Sequence, residues 1–187
     1  DVSIKRFRLE NGKLASLPVK LPLLFDLEKH AVSSLSDLSL LLTSLEYDPS
    51  KIIIRGELIE GRQKENIRRT GKSHLFNDPN SNFNSAPRQW CMIDIDDLEL
   101  PTEYADIDAS KSDILAYTTA KLPEAFRGVD CHYQFSASMG VKKDKVRVHL
   151  WYWLNRRVSD AEMKAWMGQS DEDLVLTIAL QSQIEAG

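Results

Sequence analysis

Residues 89–98 read QWCMIDIDDL, and their alternation of apolar and polar residues predicts a β-strand with two acids on one face. Successive side chains of a strand point to opposite faces, so Asp94 and Asp96 share one face while Ile93 and Ile95 point towards the core. Two neighbouring carboxylates on an apolar strand repel each other and lose hydration, which a divalent cation commonly relieves. Oxygen ligands alone favour Mg²⁺ or Mn²⁺. The stretch therefore predicts a two-carboxylate metal site, with solvated acids on an exposed edge strand as the alternative.

The segments on either side of this strand mix helical and strand patterns without a regular β-α-β order. Leucines at helical spacing predict a helix over residues 26–47, and three consecutive isoleucines predict a buried strand over 51–56. This mixture predicts an α+β fold rather than a doubly wound sheet. The remaining expectations are an arm or edge strand over 1–22, a long loop over 57–88, a helix over 108–121 with Asp108 as N-cap, a β-hairpin of strands 132–138 and 146–154, a helix from Ser159 to about Met167 begun by a capping box, and a further helix over 171–185.

The bulk composition of the 187 residues narrows the classes of function. The 24 basic and 28 acidic residues give a net charge of −4, so nucleic-acid binding would need a local basic patch. Cys91 and Cys131 lie far apart in no paired motif, which argues against a zinc site or a disulfide framework and favours a reducing, cytoplasmic location. No apolar run is long enough to span a bilayer, so we expect no membrane partner. The length suits an N-terminal arm and helical segment over 1–50 packed on a core over 51–187.

The predicted hairpin carries a second set of polar residues. Ser136 and Ser138 share one face of its first strand, and Arg147 and His149 share one face of its second strand. Small hydroxyls beside a cationic pair can contact phosphate oxygens, and Gly140 in the joining loop permits a close approach of the backbone. A histidine in a strand is more often a packing or surface residue than a functional one, and the nearby tryptophans favour packing over base stacking.

In combination, three motifs resemble the archaeo-eukaryotic primase superfamily. They are W-x-x-I-D-I-D at residues 90–96, S-x-S-x-G at 136–140 and V-x-x-H-L-W-Y-W-L-x-R-x-V at 146–158. More narrowly, the chain is similar to the primase-polymerase domains of phages, plasmids and other mobile elements, over roughly residues 51–170. This resemblance implies an α+β catalytic core with a mixed or antiparallel sheet like the palm of an RNA-recognition motif, flanked by helices. It also implies a nucleotidyltransferase that joins nucleoside triphosphates on a single-stranded DNA template with Mg²⁺ or Mn²⁺.

The resemblance assigns roles to individual residues. Asp94 and Asp96 match the metal-binding acids of the family's first motif. His149 matches the histidine that contacts the phosphates of the incoming nucleotide, while Arg147 occupies a position where the family has a small residue. The two serines fall where related domains line the nucleotide site. Asp173 is the best-placed candidate for a third metal-binding acid, with the two acids before it as competitors.

Basic residues precede the aspartate strand and predict contacts with the template or the triphosphate. A solvated loop of mixed charge is the alternative, since glutamates are interspersed among them. Family resemblance favours the functional interpretation for Arg55 and Arg69. The candidate residues for nucleic-acid binding are Arg55, Arg62, Arg68 and Arg69.

The expected activity is therefore a DNA-dependent primase-polymerase of a mobile element, acting by two-metal phosphoryl transfer. The absence of a helicase motif fits a domain of a larger replication protein, with a helicase domain or protein as a further expected partner. Two alternatives stay open: a primase-like binding module that has lost catalysis, and a metal-dependent nuclease. The preference for ribonucleotides or deoxyribonucleotides, and the need for a primer, also stay open.

Overall fold

The computed structural model describes most of the chain, which divides into two compact units. The first unit holds the described residues up to Arg88, and the second begins at Gln89. This division lies inside the predicted core over 51–187. Because compact packing does not by itself define a domain that folds alone, the predicted domain boundary stays a prediction. The described residues are 6–17, 24–68, 82–141, 144–167 and 176–177.

The first unit begins with a β-hairpin in the segment predicted as an arm or edge strand. Strands β1 (Phe7–Glu10) and β2 (Lys13–Ser16) pair in antiparallel fashion. Asn11 and Gly12 join them with positive φ angles of 50° and 75°, the conformation that two-residue hairpin turns favour.

Two further two-stranded antiparallel sheets belong to the same unit. β3 (Leu24–Phe25) pairs with β5 (Ile67–Arg68), and β4 (Glu57–Leu58) pairs with β6 (Phe83–Asn84). Three of these short strands fall within the predicted loop over 57–88, of which residues 69–81 lie outside the described part. The prediction of a strand at 51–56 is wrong, because the three isoleucines lie in irregular backbone; Ile52 and Ile54 pack against a small core instead.

Helix α1 spans Leu35–Leu45 and is shorter than the predicted helix over 26–47. Ser34 is its N-cap, with extended backbone and a side chain that accepts a hydrogen bond from the Asp37 N–H at 3.1 Å. A serine in this position satisfies an N–H group at the helix start and ends the helix on that side. The leucine periodicity therefore continues through 26–33 without helical backbone.

The second unit is built on a four-stranded sheet in the order β10-β7-β9-β8. The flanking pairs, β10 with β7 and β8 with β9, are antiparallel. The α+β class predicted from the sequence is confirmed. The strands are β7 (Arg88–Glu99), β8 (His132–Phe135), β9 (Lys145–Val158) and β10 (Leu176–Thr177).

One face of this sheet forms the main core. Cys91, Ile93 and Ile95 of β7 are 0%, 1% and 4% exposed, as their predicted alternation requires. Val148 and Leu150 of β9 are fully buried against the same core, which leaves the intervening side chains on the opposite face. We call that opposite surface the open face; its residues from β7 and β9 are Trp90, Met92, Asp94, Asp96, Arg147, His149 and Trp151.

Two helices cover the core face. Helix α2 (Lys111–Ala120) and helix α3 (Asp160–Met167) contribute Ile114 and Met163 to the core. The predicted capping box of α3 is confirmed: the Ser159 side chain accepts from the Glu162 N–H at 3.2 Å, and Glu162 accepts from the Ser159 N–H at 2.8 Å. No described helix has both the length and the apolar character that a membrane crossing requires.

Three further predictions need correction. Asp108 is not the N-cap of α2, because Ser110 takes that position; Asp108 instead contacts Lys111 at 2.7 Å. The first strand of the predicted hairpin ends at Phe135 and not at residue 138. The predicted helix over 171–185 is wrong at Leu176–Thr177, which form β10, and the rest of that segment lies outside the described residues.

Candidate functional site

The open face brings the predicted acids of β7 against the predicted cations of β9. Asp94 Oδ1 lies 3.3 Å from His149 Nε2, and Asp96 Oδ1 lies 3.3 Å from Arg147 Nη1. The two pairs run in opposite chain directions, as side chains on antiparallel neighbouring strands do. In each pair, the structure thus brings together two residues that lie about fifty positions apart in the sequence.

Asp94 is largely buried, and one of its carboxylate oxygens accepts no hydrogen bond from the described residues. Its side chain is 20% exposed, and its Oδ1 atom is buried without a hydrogen-bond donor among the described residues. The neighbouring His149 balances the carboxylate only when the imidazole is protonated. Buried acceptors without donors are rare in folded proteins, and such an oxygen is available to a ligand.

Arg147 neutralises Asp96 without any metal ion. Its Nη2 also lies 3.9 Å from Asp97 Oδ1, and its Nη1 donates a hydrogen bond to Ser138 Oγ at 3.1 Å. The repulsion between the neighbouring carboxylates predicts a bound cation. An arginine relieves that repulsion in part. β7 continues to Glu99, and Asp97 extends the acidic surface that Arg147 contacts.

The two predicted serines lie in the loop after β8 and not in the strand itself. Ser136 and Ser138 are 9% and 8% exposed, and their hydroxyl oxygens lie 2.9 Å apart. The Ser136 N–H donates to the Arg147 carbonyl at 2.9 Å, which fixes the loop to the beginning of β9. Gly140 follows with φ of 79°, and a Cβ there would meet Ile107 Cδ1 at 3.1 Å. The loop thus holds two hydroxyls beside the Arg147 guanidinium.

Aromatic residues border the acids on the open face. The ring centroids of Trp90 and Trp151 lie 5.6 Å apart. Trp151 is only 6% exposed, so it serves packing rather than presenting a free stacking surface. On the other side of β9, Gln134 of β8 pairs with His149.

The residues present fit a hard divalent cation as part of a ligand set. Asp94 and Asp96 supply carboxylate oxygens on one face, and Mg²⁺ and Mn²⁺ prefer oxygen ligands. Within the ranges that the structure describes, no group of three or more His, Cys, Asp or Glu residues is placed to hold a metal ion. Asp173, the predicted third acid, lies outside the described residues and stays a prediction. It precedes β10 in the sequence, and Thr177 of β10 pairs with Asp94.

The predicted nucleic-acid-binding arginines belong to the first unit. Arg55 is 5% exposed and therefore presents little surface to a ligand, whereas Arg62 and Arg68 are exposed. Arg69 lies outside the described residues. The site on the open face is thus built from residues of the second unit alone.

The sequence did not predict the contact of Asp97 with Arg147 or the pairing of β10 with β7. Asp96 and Asp97 are consecutive acids, and strand alternation places them on opposite faces, so no local pattern indicated that both would lie near Arg147. Comparison with models of protein families, with curated proteins and with solved structures finds no match for this chain. The primase resemblance therefore depends on the sequence motifs alone.

Proposed function

We propose that the second unit is the catalytic core of a primase-polymerase, which joins nucleoside triphosphates on a single-stranded DNA template. One observation carries the proposal: Asp94 and Asp96 of β7 face His149 and Arg147 of β9, each pair at 3.3 Å, on the open face. Nucleotidyl transfer needs acids to hold divalent cations and positive groups to bind the triphosphate, and this face supplies both.

The residues divide into two sets by chemistry. Asp94 and Asp96 would hold Mg²⁺ or Mn²⁺. When bound, the cation would neutralise phosphate charge and favour the deprotonated form of the attacking hydroxyl group. His149 and Arg147 bind the triphosphate oxygens, and the Ser138 hydroxyl donates a hydrogen bond to the same group. Catalysis then rests on positioning and on charge stabilisation, without a covalent intermediate on the protein.

Three parts of the proposal come from the family resemblance. Asp173 completes the metal site. Arg62 and Arg68, which are exposed, contact the template together with Arg69, whereas the buried Arg55 does not. The protein acts in the cytoplasm during replication of a mobile element, beside a helicase domain or protein.

The test is incorporation of labelled nucleotides on single-stranded DNA, with and without a primer, in Mg²⁺ and in Mn²⁺. Asp94→Ala should abolish the product. Glu99→Ala is the matched control, because Glu99 lies on the same strand and its side chain is 89% exposed. We expect the control to retain activity. Product in all three proteins would contradict the assignment of Asp94, and shortening of the DNA without added nucleotides would indicate a nuclease.

A binding module without catalysis is the second candidate. It is favoured by the Arg147–Asp96 ion pair, which gives the metal-free face its own charge balance. Such a module should bind single-stranded DNA but show no metal-dependent binding of triphosphates. Isothermal titration of a triphosphate with and without Mn²⁺ separates the two functions.

A further inference from the structure

Arg147 is positioned as the metal-free counter-ion of the candidate site. Its Nη1 lies 3.3 Å from Asp96 Oδ1, and its Nη2 lies 3.9 Å from Asp97 Oδ1. The Arg147 side chain is 14% exposed, whereas the Asp96 and Asp97 side chains are 45% and 54% exposed, so water screens these contacts in part. A divalent cation bound to Asp96 would repel the guanidinium from this position.

The guanidinium also has an unused donor. Arg147 Nε is buried and has no hydrogen-bond partner within the part of the chain that the structure describes. A buried N–H without an acceptor is unfavourable, and an oxygen-rich anion would remove this penalty. Ser138 Oγ accepts a hydrogen bond at 3.1 Å from Nη1, the same nitrogen that faces Asp96, which keeps the guanidinium beside the serine loop.

We propose that Arg147 and a divalent cation compete for Asp96, and that binding of the cation releases the guanidinium to the triphosphate. This inference rests on the proposed function and specifies how the site is loaded. Metal and triphosphate then bind with positive coupling. The bound cation frees Arg147 for the triphosphate, and the bound triphosphate holds Arg147 away from Asp96. Arg147 is thereby a specificity residue that keeps the acids occupied until a metal-bound nucleotide arrives.

The experiment measures Mn²⁺ alone by titration, with free Mn²⁺ detected by electron paramagnetic resonance. Arg147→Ala should bind Mn²⁺ roughly fivefold more tightly than the parent, since removal of a competing ion pair is worth about that factor. Lys145→Ala is the matched control. The substitution removes the same charge from the same strand. Lys145 contacts Glu99 at 4.0 Å and the Asp97 carbonyl at 3.2 Å, not Asp96.

A second readout has the opposite sign. At saturating Mn²⁺, Arg147→Ala should bind a triphosphate with a non-cleavable α–β linkage roughly tenfold more weakly, because a charged hydrogen bond is lost. Arg147→Lys keeps the charge and should fall between the parent and the alanine variant in both titrations. Far-ultraviolet circular dichroism checks that the variants are folded.

The outcomes separate the inference from the function on which it rests. Mn²⁺ binding by the parent with unchanged affinity in Arg147→Ala overturns the inference and leaves the function standing. An equal gain in Lys145→Ala also overturns it, since bulk charge would then explain the effect. Mn²⁺ binding only after Arg147→Ala supports it strongly. Failure of the parent and of every variant to bind Mn²⁺ overturns both.

Discussion

Asp94→Asn should stabilise the metal-free protein, which is the reverse of the usual effect of a substitution in a strand. Asp94 Oδ1 is buried without a donor among the described residues, and such an unsatisfied acceptor costs about 1–3 kcal/mol. Because the side chain is 20% exposed, water lowers this cost, and we expect a gain of about 1 kcal/mol in the free energy of unfolding. For a chain of this size that gain raises Tm by about 2–4 °C.

The assay is urea unfolding in EDTA at pH 8. Glu99→Gln controls for the change in net charge on the same strand. The parent should gain stability when Mn²⁺ replaces EDTA, and Asp94→Asn should not. A loss of 1 kcal/mol or more in Asp94→Asn would refute the reasoning, because Asp94 would then be a structural partner of His149.

Four other expectations concern residues of the second unit. Gly140→Ala should destabilise the fold by about 1–2 kcal/mol in urea unfolding, because a positive φ and Ile107 both oppose a Cβ. Ser159→Ala should cost about 1 kcal/mol through loss of the α3 cap. A hydrogen bond from the Ser159 N–H is the largest cause that lowers the pKa of Glu162. The stability that this carboxylate contributes is therefore present above the ordinary carboxyl range and is lost as pH falls through the lowered pKa. Acid titration of Glu162→Gln should lack that loss. Burial raises the pKa of the Cys131 thiol, so its alkylation, followed by mass spectrometry, should be slow near neutral pH and accelerate in alkaline buffer.

The sequence predicted the parts of the fold that follow from local periodicity. Alternation along β7 placed Asp94 and Asp96 on one face and Ile93 on the other, and burial agrees. The capping box at Ser159 was predicted from residue types alone and is present. These successes share a cause: strand alternation and capping depend on residues within a few positions of one another.

Other features depended on tertiary packing and were not predictable in this way. Leucine spacing extended the predicted helix to 26–33, but the Ser34 cap begins the helix later. The isoleucines at 52–54 have strong strand propensity, yet they find no ladder partner in the described structure, and only Ile52 and Ile54 pack against the small core. Periodicity could not reveal β10, because its pairing with β7 joins segments about eighty residues apart.

The site was predictable as a set of residues but not as a set of contacts. The sequence selected Asp94, Asp96, Arg147 and His149, all of which lie on the open face. Which cation faces which acid depends on the register between β7 and β9, and no local pattern encodes that register. The Arg147–Asp96 pair, which gives the metal-free face its charge balance, therefore emerged only from the structure.

The most direct test of a divalent-cation site on the open face is anomalous diffraction from crystals grown with Mn²⁺ and a non-cleavable triphosphate. We expect an anomalous peak within ligand distance of the Asp94 and Asp96 carboxylates, with the Arg147 guanidinium moved from Asp96 to the phosphates. The absence of a peak at saturating Mn²⁺, with Arg147 still paired to Asp96, would contradict the metal-dependent site and favour the binding module.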